Sequence, residues 1–180
     1  MIYWLTIQHN RVNAVRLVGI DPGRHGALAF FDTDAGTLAV APIPIIGQQR
    51  SEKMKFFVDE GRLVELLRVH QPEVAYIEDV FSMPSDGHVG AFSFGENKGV
   101  LKGTLAGVGC ERRYVAPARW KAELGCTANK AETKKIARLL LPKCAGILKS
   151  EGKCEAALIG LWGCLSLGLR VAAVHPAPCK

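Results

Sequence analysis

Residues 18–32 read VGIDPGRHGALAFFD: two apolar, strand-like runs joined across a Pro-Gly turn, with a single carboxylate, Asp21, closing the first run. This stretch constrains the fold most. An ionised carboxylate carried into apolar packing costs several kcal/mol unless something compensates it. The run must therefore end at an open rim or meet a cation. The runs RLVGID, GALAFFD and TLAVAPIPI are short, rich in β-branched or aromatic residues, and separated by Pro-Gly and Asp-Ala-Gly turn chemistry. Turns this short join antiparallel neighbours, so the three runs predict a meander.

A polar stretch, GQQRSEKMK, follows the meander and reads as a connection. In VDEGRLVELLRVHQ, Leu63, Leu66 and Leu67 have the spacing of an amphipathic helix, which Pro72 ends. The run EVAYIEDVF is a fourth strand, apolar until Glu78, and Asp79 falls on its opposite face. Residues 83–91, MPSDGHVGA, read as a loop. The helix FSFGENKGVLKGTLAG then carries glycine at 95, 99, 103 and 107. Each glycine costs a helix roughly 1 kcal/mol against alanine, which predicts a close neighbour along that face. RRYVAP reads as a fifth strand and ARWKAEL as a short helix. NKAETKKIARLLLP carries Asn129 and Glu132 at capping-box spacing, and KCEAALIGLWGCLSLGL is a largely buried helix. The order β-β-β-α-β-α-β-α-α predicts an α/β domain.

At 180 residues, with no internal repeat, the chain suits one domain over 17–170, preceded by an extension, 1–16, and followed by a tail, 171–180. No run approaches the roughly 18 consecutive apolar residues of a membrane span, so no membrane partner is expected. No targeting signal is evident in the first residues. The six cysteines form no C-x-x-C pair and have no histidine at zinc-finger spacing, so they read as reduced thiols in a cytoplasmic-type compartment. The formal net charge of +6 favours a polyanionic partner.

Acids carry the chemistry. If the strands ending in Asp21 and Glu78 are neighbours, the two carboxylates converge at one rim, and one must take up a proton or share a cation. Glu151 and Glu155 are four apart and lie on one face of the last helix. Acids near a helix start are also favoured by the helix dipole alone, so Glu155 and Glu151 have an ordinary explanation as well. Together the four carboxylates can form an all-oxygen cluster for two divalent ions, Mg2+ or Mn2+, of the kind that stabilises in-line displacement at phosphorus.

GIDPG followed by ALAFFD, YIEDVFSMP followed by FGENKGVLKG, and then VAPARWKAELG, NKAETKKIARLLLP and EGKCEAALIGLWG resemble, in order and spacing, the motifs of the RuvC-type Holliday-junction resolvases of the RNase H-like superfamily. The resemblance runs from about Leu17 to Gly163. It implies an RNase H-like fold with a mixed five-stranded sheet, three antiparallel strands then two parallel, flanked by helices. It implies a homodimeric, Mg2+-dependent endonuclease that cuts four-way DNA junctions. Asp21, Glu78 and Glu155 match the metal-ligating acids, and Glu151 matches the fourth acidic position. The pattern EGKCE is similar to the phage-like and organellar-like branch. Cellular bacterial members place His or Asp three residues before the last acid, where this chain has Gly152. Phe81 matches an aromatic that stacks on a base near the junction centre. Lys121 and Lys130 match positions that meet phosphate, and the glycine-rich helix matches one near the dimer contact. Alternatives are an RNase H-like nuclease on other branched DNA or on RNA–DNA hybrids, and a non-catalytic junction-binding protein. An ATPase of the actin and sugar-kinase type needs two such domains. Nothing in the chain indicates a cleavage-sequence preference or a helicase partner.

Overall fold

The computed structural model describes residues 14–50, 53–83, 85, 87–127, 129–169 and 174–178. Most of the expected extension, and part of the tail, lie outside them. The meander is β1 (Arg16–Asp21), β2 (Ala27–Asp32) and β3 (Thr37–Pro42), antiparallel throughout. Helix α1 (Glu60–His70) leads into β6 (Val74–Glu78), which pairs parallel with β1. Helix α2 (Gly87–Gly107) leads into β7 (Glu111–Val115), parallel to β6. The three antiparallel and two parallel strands are thus present as expected. The sheet has a sixth strand besides, β8 (His175–Pro176), a two-residue parallel addition on β3 at the outer edge. Two residues carry too little periodicity to be seen in a sequence.

Both faces of the sheet are covered, which is why β1 and β2 read as nearly continuous apolar runs. Side chains alternate between the faces. Leu17, Phe31 and Tyr76 enter one core with α5 (Glu151–Ser166) and Trp120. Val18, Ile20, Ala75 and Ile77 enter the other with Leu63, Leu67, Leu101 and Leu105 of α1 and α2. Continuing the alternation sends Asp21 and Glu78 to the α5 face and Asp79 to the α2 face. α5 can lie directly on β1 because two glycines meet at the crossing. A Cβ on Gly19 would run into the Gly160 backbone, and one on Gly160 would run into the Phe31 ring.

The structure departs from the sequence reading at four further places. The stretch expected as a connection is a hairpin of its own, β4 (Ile45–Arg50) and β5 (Lys53–Val58), forming a separate two-stranded sheet. Pro42 and Pro44 end β3 before it, since proline cannot donate to a ladder. α2 starts at Gly87, inside the expected loop, so that loop is shorter than its turn-forming residues suggest. Among the described residues the glycine face of α2 has no close neighbour: an added Cβ at 95, 99, 103 or 107 meets nothing within 4 Å. The capping box of α4 (Lys130–Leu140) is half formed. Asn129 accepts from the backbone N–H of Ala131 at 2.9 Å, but Glu132 accepts from the Thr127 hydroxyl instead of reaching back.

Candidate functional site

Ile20 pairs with Ile77 across the parallel ladder, so the next residues, Asp21 and Glu78, end neighbouring strands side by side. Ligand sites of open α/β sheets lie off the carboxyl ends of parallel strands, and this is such an end. Asp21 is half-buried, and one of its oxygens accepts from the backbone N–H of Gly23 at 3.2 Å, an Asx-type turn made possible by the Pro-Gly corner. Glu78 is buried, 6% exposed, and accepts from the Trp120 indole N–H at 3.0 Å. Trp120 belongs to α3 (Pro117–Glu123), which proline starts at its first position.

α5 brings the other two acids. Ser150 caps it by accepting from the Lys153 N–H at 3.3 Å, which places Glu151 at the first helical position and Glu155 one turn on. A side chain at Gly152 would collide with the carbonyl oxygen of His25 and with Gly26. Only glycine lets the first turn of α5 close against the loop after β1. As folded, position 152 has no room for a ligating side chain.

The carboxylates feel one another. Burial first, then the charges of Glu155 and Glu151, push the Asp21 carboxyl up to about 6. Burial, then the charges of Asp21 and Glu155, push Glu78 up to about 7, against the opposing indole hydrogen bond. The two predicted phosphate-binding lysines sit on the helix acids. Lys121 Nζ lies 3.0 Å from Glu155, both side chains largely buried, and Lys130 Nζ lies 2.9 Å from Glu151 in a more exposed pair. All four predicted acids and both lysines therefore share one rim. Phe81 stands beyond it, 74% exposed, with the Lys98 ammonium 4.7 Å from its ring centre. Lys98 also pairs with Asp79 at 3.3 Å on the α2 face.

As they stand, no three Asp, Glu, His or Cys side chains among the described residues are gathered so as to hold a metal. The donor chemistry nevertheless fits a hard divalent cation. The set is all oxygen, and two members are held toward neutrality by burial first and by neighbouring carboxylate charge second, both of which a bound cation would offset. The lysines on Glu151 and Glu155 supply part of that charge and would have to release those carboxylates to a metal.

Sequence reasoning missed Trp120 and Gly23, which orient the two strand acids, and Glu123, which accepts from the Trp162 indole at 2.7 Å and ties α3 to α5. The available signal was an indole beside Lys121 in a seven-residue helix otherwise polar or small.

No protein-family model matches the chain, and no curated protein matches it in sequence. Solved structures do. One is T. thermophilus RuvC in complex with Holliday junction substrate, at 17% identity and a TM-score of 0.58, covering 88% of this chain and 98% of that one. Another is the Thermus thermophilus RuvC structure, at 17% identity and a TM-score of 0.52, covering 85% and 96%. The likeness shows that the chain has the RNase H-like fold of these proteins.

Proposed function

We propose that this protein is a metal-dependent endonuclease that resolves four-way DNA junctions. The observation that carries the reading is the convergence of Asp21, Glu78, Glu151 and Glu155, from two strand ends and one helix start, on a single rim. Asp21, Glu78, Glu151 and Glu155 would hold two Mg2+ ions, with Mn2+ able to substitute. Bound there, the ions supply the positive charge that stabilises in-line displacement at phosphorus. The chain's own residues prepare the site. The Gly23 N–H and the Trp120 indole fix one oxygen each of Asp21 and Glu78. Lys121 and Lys130, once released from their glutamates, would meet phosphates of the DNA. Phe81 would stack on a base where the junction strands cross, and its exposure supports that role.

Symmetric cutting of two strands needs two such sites related by a two-fold axis, and a homodimer supplies them. The uncovered glycine face of α2 supports this, because nothing among the described residues packs on it to offset the cost of four helical glycines. The free thiols support a reducing, cytoplasmic-type compartment. The spacing of Glu151 and Glu155 supports a place nearer the phage-like and organellar-like branch. One observation favours a second reading, a junction-binding protein without catalysis: both helix acids are closed by lysine ion pairs.

Cleavage of a synthetic four-way junction with Mg2+ separates the two. The wild-type chain cuts, and Asp21→Asn, nearly isosteric but short of a charge, binds the junction without cutting. Mg2+-dependent cutting by Asp21→Asn at the wild-type rate refutes the four-carboxylate site. Binding without cutting by the wild type selects the second reading.

A further inference from the structure

Between the β4–β5 hairpin, the first turns of α2 and the corner after β1 lies a cleft of about 360 Å³. This is at the small end of the range for clefts that take a small molecule, roughly 300–1,000 Å³. Gly23 and Arg24 form one wall, Met54 and Phe56 of the hairpin a second, Val89 and Phe92 of α2 a third. Apolar side chains are unusually open here: Val89 is 71% and Phe92 70% exposed. The guanidinium of Arg24 lies 3.7 Å above the centre of the Phe56 ring.

We propose that this cleft binds one unpaired nucleobase of the substrate DNA. The proposal rests on the function proposed above and names a second contact of the same site. Three observations select a base among apolar occupants. The chain carries a net charge of +6, so a polyanion is drawn to it. A guanidinium over a ring, with exposed aromatic surface beside it, offers the kind of platform on which bases stack regardless of sequence. The cleft also runs into the catalytic rim: Gly23, whose N–H orients Asp21, is part of its wall. A base held there belongs to a nucleotide close to the phosphate being cut. Arg24, Lys55 and Glu96 are the charged groups that line the cleft, and the other side chains named above are apolar or aromatic, the surface that suits the flat face of a base. Asn97 is already committed, accepting from the Val58 N–H at 2.8 Å and donating to the Phe56 carbonyl at 3.4 Å, so it holds the hairpin against α2.

The test measures binding of a short labelled oligothymidylate and of an oligomer of the same length made wholly of abasic sugars. Both carry the same phosphates, and only one carries bases. The wild type should prefer the thymidylate, and Phe92→Ala and Arg24→Gln should each reduce that preference by roughly 5- to 150-fold, the range for one base on one platform. Phe92 and Arg24 are exposed, so both variants should melt with the wild type. Equal affinity of the wild type for the two oligomers overturns the proposal, as does an equal loss for both oligomers in the variants. A Phe92→Ala chain that changes its sedimentation from dimer to monomer also overturns it, and assigns the face to a second copy. Junction cutting is read separately. A chain that cuts no junction yet keeps the base preference leaves the cleft standing and removes the proposed activity.

Discussion

Trp120→Phe isolates what the indole does for Glu78. Trp120 is fully buried and gives Glu78 a hydrogen bond of 3.0 Å. Phenylalanine keeps an aromatic ring in the core but removes the donor. A hydrogen bond to a charged group is worth about 1.5–3 kcal/mol, and one pKa unit corresponds to about 1.4 kcal/mol, so the loss raises Glu78 by about one to two units. From about 7, the carboxyl moves to about 8–9. At pH 8 its ionised fraction then falls from about nine-tenths to between about a half and a tenth. Only the ionised form ligates metal. Junction cutting at subsaturating Mg2+ should therefore drop about 2- to 10-fold at pH 8 and recover at higher pH. The acid limb of the pH–rate profile should move up by one to two units, and extra Mg2+ should partly reverse the shift by competing with the proton. The smaller ring also leaves a void, so the melting temperature falls as well. That fall alone does not move the limb. A uniform loss of rate at every pH, with the acid limb unmoved, refutes the positioning role and reduces Trp120 to core packing.

Three further outcomes are expected. Asp21 and Glu78 are raised from 3.8 to about 6 and from 4.5 to about 7, so the folded metal-free chain binds more protons than the unfolded one across about pH 4–7. Their contribution to stability is present below that window and is lost as pH rises through it. Thermal melts in chelator should show this as a downward slope that the double variant Asp21→Asn/Glu78→Gln lacks; identical slopes refute the raised titration of the two buried acids. Phe81→Ala should leave the melting temperature unchanged, since the ring is exposed, and should weaken four-way junction binding by about 1–3 kcal/mol while sparing matched duplex. A lower melting temperature with an unchanged junction-to-duplex ratio contradicts this. Glu155→Gln should impair cutting more than Glu151→Gln, because Glu155 is the more buried and acts on both strand acids; a reversed ranking in the cleavage assay misplaces the fourth ligand.

The sheet was legible because β1, β2 and β6 bury both faces, and such strands stand out as apolar runs ended by a charge. The acids were legible for the same reason: Asp21 and Glu78 interrupt sequence that otherwise excludes water. The hairpin was not, because β4 and β5 pack on one side only and carry Gln48, Gln49 and Lys55 among their apolar residues. It is tied to α2 through Asn97, a long-range contact that no local pattern encodes. The lysine–glutamate pairs were hidden in the same way. Lys121 and Lys130 lie on different helices from their partners, and sequence spacing says nothing of distance across α3, α4 and α5.

The crossing of β1 and α5 at Gly19 and Gly160 joins the first strand of the sheet to the last long helix. Contacts this distant along the chain form late in folding, because a long loop must close before they repay its entropy. During synthesis the meander emerges well before Glu151 and Glu155 do. A nascent chain thus carries Asp21 and Glu78 without their helix partners, and the rim is assembled only when α5 docks. The geometry that brings the four acids together thus exists only once the domain is whole.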